Sequence, residues 1–168
     1  GKALRFDGVN DYVEVPRVVQ YDFTIGFWVK TTQTASIGKW WAGNGLVDAE
    51  VCGVVNDFGT ALVGSKAAFG VGNPDTTITS LTDINDGKWH HVVAVRVKST
   101  GEMKLYVDGR LEATGTGNTN SLTASPWIGI GNNPCDVGFN RRWFNGIIDE
   151  VRIYNRALSE EEIRALYE

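Results

Sequence analysis

The sequence predicts an all-β fold in which two antiparallel sheets pack against each other and one short helix ends the chain. Three observations support this prediction. More than ten short segments alternate apolar and polar side chains with the two-residue period of a half-buried strand. Twenty glycines are spread over 168 residues, as is typical of a chain with many turns. Helix signals occur only near the C-terminus, so a two-sheet sandwich is favoured.

The first half of the chain divides into short predicted strands separated by turn residues. Residues 23–30 alternate well, because Phe23, Ile25, Phe27 and Val29 share one face, which we assign to the core. Glycines and an Asn-Gly dipeptide separate the shorter strands that follow. The predicted strands of this half are residues 2–6, 12–15, 23–30, 36–41, 45–55, 59–63 and 67–71.

The second half contains the clearest strand, residues 89–97, in which a tryptophan, a histidine and three valines share one face. An Asp-Gly dipeptide joins the strands predicted at residues 102–107 and 111–113 as a short hairpin. Two more strands are predicted at residues 127–130 and 144–154. Ser159 is the predicted N-cap of the closing helix, with Glu162 completing a capping box and an apolar stripe docking on the sandwich.

Length and composition indicate one domain over residues 1–168. The chain is long enough for one sizeable core, is 42% hydrophobic and 21% charged, and has no linker-like tract or internal repeat. A net charge of −4 gives no basic footprint, so nucleic acid is not expected as a partner. No apolar run reaches the length of a membrane span, so membrane insertion is not expected.

The last predicted strand carries a carboxylate on its apolar face. Strict alternation places Asp149 on the same face as Ile147, Val151 and Ile153, which belong in the core. The neighbouring Glu150 then lies on the opposite face, toward water. A buried carboxylate is unfavourable unless it is paired, hydrogen-bonded or bound to a cation. The sequence therefore predicts a partner for Asp149.

The two cysteines, Cys52 and Cys135, are far apart in the sequence. They form one disulfide if they meet in space and remain two buried thiols if they do not. A disulfide would bring the loop before Trp143 next to the segment around Trp41. The chain has no CxxC pair and no cluster of His and Cys, so a zinc site is not expected.

Three blocks of the sequence resemble a known family. They are LRFDGVNDYV at residues 4–13, WHHVVAV at 89–95 with LYVDG at 105–109, and FNGIIDEVRIYNRALS at 144–159. Their order and spacing are similar to those of the laminin-G-like group of the concanavalin A-like lectin/glucanase superfamily. The resemblance implies a jelly roll of two curved antiparallel sheets. It also implies glycan binding, because bacterial domains of this kind are often attached to secreted glycoside hydrolases, lyases and adhesins.

The resemblance further implies a calcium ion between the two ends of the chain, matched here by Asp7, Asn10 and Asp149. Asp11 is an additional candidate ligand in the same turn. Carboxylate and amide oxygens are suitable ligands for calcium, whose role would be structural. Alternatively, the polar residues of the turn cap backbone N–H groups, and Asp149 pairs with Arg5 or with a backbone donor.

The sequence contains no acidic motif of the kind that hydrolases of this fold carry on one strand, Glu-x-Asp-x-x-Glu. Asp48 and Glu50 are two residues apart, but no third acid follows at the required spacing. Asp149 and Glu150 are adjacent, so in a regular strand they point to opposite faces. We therefore expect no catalytic residues, and we expect the two histidines to be structural.

Candidate ligand-binding residues surround two aromatic pairs. Trp40 and Trp41 are adjacent, so a strand cannot bury both, and Trp143 beside Phe144 poses the same problem. Exposed tryptophans offer platforms for sugar rings, and nearby polar groups can bind hydroxyls. The polar candidates are Asn44, Asp48, Glu50, Asn133, Asp136, Arg141 and Arg142. The two arginines suit an acidic sugar. Alternatively, loops bury the tryptophans, and the arginines form a solvated turn.

The sequence thus predicts a non-catalytic carbohydrate-binding module with a structural Ca²⁺ ion. Such a module would tether covalently linked catalytic or adhesive domains of a secreted or cell-surface bacterial protein to a polysaccharide. The alternatives are a protein-interaction or adhesion module of the same fold, and a structural spacer. A groove with exposed aromatic side chains favours the binding modules over the spacer.

Overall fold

The structure is a computed structural model that describes residues 2–136 and 142–168. Two antiparallel sheets of six strands each make up most of this part of the chain. The strands are β1 (Leu4–Asp7), β2 (Val13–Pro16), β3 (Phe23–Lys30), β4 (Asn44–Asp48), β5 (Phe58–Val63), β6 (Lys66–Val71), β7 (Thr76–Asp83), β8 (Trp89–Val97), β9 (Glu102–Val107), β10 (Arg110–Thr116), β11 (Trp127–Ile130) and β12 (Asn145–Tyr154). Helix α1 (Glu160–Tyr167) follows β12. The predicted all-β sandwich with a short C-terminal helix is confirmed.

The two sheets enclose the main hydrophobic core between their inner faces. The first sheet has the order β1-β12-β3-β8-β9-β10, and the second has the order β2-β11-β4-β5-β6-β7. The alternating apolar side chains of β3 are fully buried, as their two-residue period predicted. Among them, Phe23 packs on Phe58 and Phe69 of the second sheet, with ring centroids 4.8 Å and 6.1 Å apart. Each sheet therefore leaves an outer face on which a site can form.

Helix α1 packs on the outer face of the first sheet. A capping box starts the helix, because Glu162 N donates to Ser159 Oγ at 3.2 Å and Ser159 N donates to Glu162 Oε2 at 2.9 Å. Ile163 is buried against Val93 and Tyr106 of the sheet. Within residues 2–136 and 142–168, no helix is long and apolar enough to cross a membrane.

Two strand predictions for the first half are wrong. Residues 36–41 form a loop that ends in a 3₁₀ turn, Trp40–Ala42, instead of a strand. Gly38 has φ +136 in this loop, a conformation that interrupts an extended strand. The strand predicted at residues 45–55 is β4, which already ends at Asp48. The residues after it are therefore available to form a loop.

Strand β7 is missing from the sequence prediction. Its sequence, TTITSLTD, is mostly polar. It lies at the edge of the second sheet, and only Ile78 and Ser80 are buried. An edge strand with one buried apolar side chain carries too weak a hydrophobic period to be read from sequence.

A β-bulge interrupts the pairing of β12 with β3. Asp149 pairs with Trp28, but Arg152 pairs with Gly26, so β12 has one extra residue between the two pairs. Glu150 has φ +48 at this point, in the left-handed region that few non-glycine residues adopt. This geometry is typical of a bulge, which turns the following side chains to the other face of the strand.

The bulge shows that the predicted position of Asp149 on the core face is wrong. Before the bulge, the buried residue is Ile148; after it, Val151 and Ile153 pack against the core. Asp149 therefore shares the outer face of the first sheet with its pairing partner Trp28. Because the carboxylate of Asp149 lies on the outer face, it does not require the buried partner that the alternating pattern predicted.

Candidate functional site

Trp40 forms the floor of a cleft on the outer face of the second sheet. Its side chain is fully buried and packs with Ala61, Val63 and Ala68, a group separate from the main core. A Cβ atom on Gly70 would lie under 3.0 Å from atoms of the indole ring, so glycine permits this close approach. The predicted role of Trp40 as an exposed platform is therefore wrong, because its ring is fully buried against the sheet.

The cleft beside Trp40 has a volume of about 360 Å³. Trp41 lines it and is 40% exposed, and the 80% exposed Val54 also lines it. Glu50 and Arg142 add a carboxylate and a guanidinium group to the lining. The structure thus brings together Trp41, Glu50 and Arg142, which belong to two separate candidate segments of the sequence.

A disulfide joins these two segments. It links Cys52, in the loop after β4, to Cys135, in the 3₁₀ turn Pro134–Asp136. The two Cα atoms are 5.1 Å apart although 83 positions separate the residues in the chain. Both cysteines line the cleft. One wall of the cleft is therefore held by a covalent bond between distant loops.

Asn44 and Asn133 stabilise the loops around the cleft and do not line it. The Asn44 side-chain amide donates to the carbonyl oxygen of Trp143 at 2.9 Å. The Asn133 amide donates to the carbonyl oxygen of Trp41 at 3.2 Å, and its own oxygen accepts from Cys135 N at 2.9 Å. The prediction that these two asparagines bind ligand is therefore corrected. Both are buried, and their side-chain amides form hydrogen bonds with backbone groups.

Asp48 is also structural. It is fully buried, and its Oδ1 accepts a hydrogen bond from Glu50 N at 2.8 Å. This contact shapes the chain where β4 passes into the loop. Asp48 is absent from the lining of the cleft, so its predicted contact with ligand is also corrected.

Two further acids of the cleft, Asp57 and Asp75, were not predicted. Asp57 is only 4% exposed. Burial raises the pKa of Asp57 to about 6; the Val51 N–H, which donates to Asp57 Oδ2 at 3.0 Å, opposes the rise, and the nearby Asp75 adds to it. Neither acid lies next to an aromatic pair in the sequence, and only the closure of the loops places them beside Glu50.

Trp143 lies outside the cleft. Its indole stacks on the ring of Tyr12, with centroids 5.8 Å apart and planes inclined by 29°. The predicted role of Trp143 as a platform next to Trp41 is therefore corrected, because one face of its ring is covered by tyrosine. The predictions for Arg141 and for the side chain of Asp136 lie outside the described residues.

The four predicted calcium ligands do not converge. Strands β1 and β12 are antiparallel, and Asp7 is opposite Asn145. Asp149 lies four residues further along β12, which corresponds to about 13 Å at ~3.3 Å per residue. Asn10 and Asp11 follow Asp7 in the turn after β1 and stay at its end of the strand pair. Oxygens that share one calcium ion lie within about 2.6 Å of it, so this set does not fit one ion.

These carboxylates instead bind backbone groups close in sequence. Asp7 Oδ1 accepts from Val9 N at 2.8 Å, and Asp11 Oδ2 accepts from Asp7 N at 3.0 Å. Asp149 Oδ1 accepts from Glu150 N at 2.8 Å. In the described ranges of the chain, no group of three or more His, Cys, Asp and Glu residues is arranged to hold a metal ion. The predicted set of four therefore does not form one calcium site, and calcium binding by the chain stays a prediction.

The two histidines hold structural elements together. His90 Nδ1 is 2.8 Å from Asp108 Oδ2, and His90 Nε2 is 3.1 Å from Asp86 Oδ1. Burial lowers the pKa of His90, but the two carboxylates outweigh it and raise the pKa overall. His91 lies under the ring of Tyr167, with centroids 6.3 Å apart. Neither histidine lines the cleft, which therefore presents aromatic, carboxylate and guanidinium groups.

Comparison with known proteins identifies relatives of this fold and sequence. The model of the family Laminin_G_3, described as concanavalin A-like lectin/glucanases superfamily, matches residues 7–164. The chain is 33% identical over 102 residues to the pentraxin-related protein PTX3 of Mus musculus, a match that covers 56% of this chain and 27% of that protein. The chain spans less than a third of the length of the curated relatives that it matches.

Two solved structures share the whole architecture. The CBM40 domain of the Ruminococcus gnavus IT-sialidase, bound to α2,3-sialyllactose, has a TM-score of 0.78 at 16% identity, covering 100% of this chain and 97% of that chain. Domain 4 of AbnA, an extracellular GH43 arabinanase of Geobacillus stearothermophilus, in complex with arabinotriose, has a TM-score of 0.77 at 21% identity, covering 100% and 77%. At these identities the likeness shows the fold, a jelly-roll sandwich.

Proposed function

Because the chain belongs to the Laminin_G_3 family of the concanavalin A-like lectin/glucanases superfamily, we propose that it is a non-catalytic carbohydrate-binding module. The two solved structures above support this, because each is a domain of a larger enzyme in complex with an oligosaccharide. The observation that carries the proposal is the half-exposed Trp41 on a cleft lined by carboxylates and a guanidinium group.

The cleft has the groups that a sugar requires. The exposed indole of Trp41 offers an apolar surface for the C–H face of a sugar ring. The exposed carboxylate of Asp75 can accept hydrogen bonds from hydroxyls, and Arg142 can donate to ring or hydroxyl oxygens. Trp40 beneath them is fully buried against the sheet, so the floor of the cleft is already in place before ligand binds.

The charge balance of the cleft favours a neutral sugar. Among the described residues that line it are three carboxylates, those of Glu50, Asp57 and Asp75, and one guanidinium, that of Arg142. The raised pKa of Asp57 reduces this negative charge in mild acid but does not reverse its sign. An acidic sugar would meet repulsion from the carboxylates. We therefore propose a neutral sugar as the ligand, in place of the acidic sugar that the two adjacent arginines suggested.

The proposed setting is a larger extracellular protein of bacterial origin. The Cys52–Cys135 disulfide is suited to an oxidising compartment. The chain matches only part of each curated relative, as a module of a longer protein does. In this setting the module would hold a linked catalytic or adhesive domain on a polysaccharide and raise its local concentration.

The experiment is affinity electrophoresis and calorimetry with neutral glycans, namely arabinan, xylan, galactan and mixed-linkage glucan together with their trisaccharides, in the presence of calcium. Trp41→Ala should weaken binding at the cleft roughly tenfold or more, because loss of a central aromatic contact typically costs about 2 kcal/mol. Leu111→Ala is the control, since Leu111 on β10 is 41% exposed and lies outside the cleft.

The control should bind like the wild type, and both variants should unfold at the wild-type temperature. If the wild type binds none of these glycans and does not bind α2,3-sialyllactose, the carbohydrate-binding function is refuted, and a protein-interaction or adhesion module becomes the better interpretation. If Trp41→Ala binds the same number of ligands as tightly as Leu111→Ala does, the cleft is not a binding site.

A further inference from the structure

A second groove lies on the opposite side of the sandwich, on the outer face of the first sheet. Trp28, Trp89, Asp149 and Glu150 line it, and its volume is about 370 Å³. Asp149 of β12 pairs directly with Trp28 of β3, which in turn pairs with His91 of β8. The groove therefore crosses three adjacent strands at a place that helix α1 leaves open.

The aromatic side chains of this groove differ in their roles. Trp89 is 40% exposed and presents a ring surface to solvent. Trp28 is held in place by its neighbours, with ring centroids 5.0 Å from His91 and 5.7 Å from Tyr167. Burial lowers the pKa of His91, so its imidazole is neutral at neutral pH and adds no charge. The groove thus combines one exposed platform with one fixed aromatic wall.

The bulge in β12 brings two adjacent carboxylates into the same groove. In a regular strand Asp149 and Glu150 would point to opposite faces. Here Glu150 takes φ +48, and both residues line the groove. Asp149 Oδ1 accepts from Glu150 N at 2.8 Å, and Glu150 Oε2 accepts from Arg152 Nη2 at 2.9 Å. Bulges commonly redirect side chains at binding sites, and this one supplies the acid pair that the alternating pattern excluded.

We propose that this groove is a second carbohydrate-binding site, so that the module holds two glycan segments at once. The inference rests on the proposed function for the class of ligand, but not on the cleft around Trp41. Lys30 is the cross-strand neighbour of Trp89, and Arg152 pairs with Glu150. Positive and negative groups therefore nearly balance around the groove, which fits a neutral, hydroxyl-rich ring better than an ion.

The two sites face in opposite directions. Trp41 lies over the second sheet and Trp89 over the first, with the core between them. Packed sheets are about 10 Å apart, and each site lies on the outer side of its sheet. A trisaccharide cannot reach from one site to the other, so the two sites engage separate segments. The module should therefore cross-link polysaccharide strands as well as bind them.

Isothermal titration with arabinotriose, xylotriose, cellotriose and galactotriose tests the number of sites. We expect two trisaccharides per wild-type module, and one for Trp41→Ala and for Trp89→Ala. Leu111→Ala, the exposure-matched control, should keep two. Trp89→Phe, which retains an aromatic ring, should also keep two and confirms that the Trp89→Ala effect is not a loss of folding. With the matching soluble polysaccharide, the wild type should increase turbidity, and both single alanine variants should bind without increasing it.

The outcomes separate this inference from the proposed function. One trisaccharide per wild-type module, with an unchanged titration for Trp89→Ala, overturns the second site and leaves the cleft standing. Two per wild-type module with one remaining in Trp89→Ala supports the second site whatever Trp41→Ala does. Binding of no saccharide by the wild type overturns both.

Discussion

The contact between Trp40 and Gly70 can be measured by a double-mutant cycle. In Gly70→Ala the new Cβ would lie under 3.0 Å from atoms of the indole ring. The ring is fully buried among Ala61, Val63 and Ala68, so it has little room to shift. Overpacking of this kind costs about 1–3 kcal/mol, and the rigidity of the ring places the expected loss near the upper end, about 3 kcal/mol.

Removing the ring should remove the penalty. Trp40→Ala alone should cost about 3–5 kcal/mol, as for other buried aromatic side chains. In the Trp40→Ala background, Gly70→Ala should be neutral or stabilising by up to about 1 kcal/mol, because alanine loses less backbone freedom on folding than glycine. The two single losses should therefore not add, and the coupling energy should be about 3 kcal/mol.

Urea unfolding followed by far-UV circular dichroism measures the four free energies. Gly70→Ala should also lower the melting temperature by roughly 6–12 °C, since 1 kcal/mol corresponds to about 2–4 °C in a protein of this size. Gly26→Ala is the matched control, because its Cβ would meet Val93 Cγ2 at 3.5 Å, an ordinary contact. Additive losses in the cycle, or equal losses in Gly70→Ala and Gly26→Ala, would refute the close packing of Trp40 on the sheet.

Three further predictions concern the acids and the disulfide. Burial raises the pKa of Asp57 to about 6 in the folded chain, whereas an aspartate in the unfolded chain loses its proton near pH ~4. The free energy of unfolding should therefore be highest below pH ~4 and should fall as the pH rises to ~6. Asp57→Asn should flatten that part of a melting-temperature profile, and identical profiles would contradict it. Reduction of the Cys52–Cys135 disulfide, whose cysteines are 83 positions apart, should lower the free energy of unfolding in urea by about 4–5 kcal/mol. An unchanged urea midpoint after verified reduction would contradict this stabilising role. Any change in melting temperature on adding calcium should be equal in wild type and Asp149→Asn; a smaller change in the variant would restore Asp149 as a ligand.

Much of the fold was predicted from local signals. The buried face of β3 follows from its alternating apolar residues, which are all buried in the structure. The capping box of Ser159 and Glu162 is formed as its spacing indicated. Both features depend on residues only a few positions apart in the sequence, so they can be predicted from local physical chemistry. Edge strand β7 escaped prediction because its burial is slight.

The candidate site was only partly predictable. Trp41, Glu50 and Arg142 were found because an aromatic pair and a basic pair mark their segments. Asp57 and Asp75 are not next to an aromatic or basic pair in the sequence, and only the folding of the loops places them in the cleft. Asn44 and Asn133 were predicted to bind ligand because the sequence does not show which side-chain amides will donate to backbone carbonyls instead.

The sequence by itself determined the class of fold, the core face of β3 and the start of the closing helix, because strand period and helix capping act over a few residues. The tertiary structure alone decided the position of Asp149. One extra residue in β12, visible only in its pairing with β3, moves that carboxylate from the predicted core face to a groove beside Trp28. Because side chains alternate between faces with a period of two residues, one extra residue changes the face of every side chain beyond it. No local sequence pattern could therefore have located the bulge.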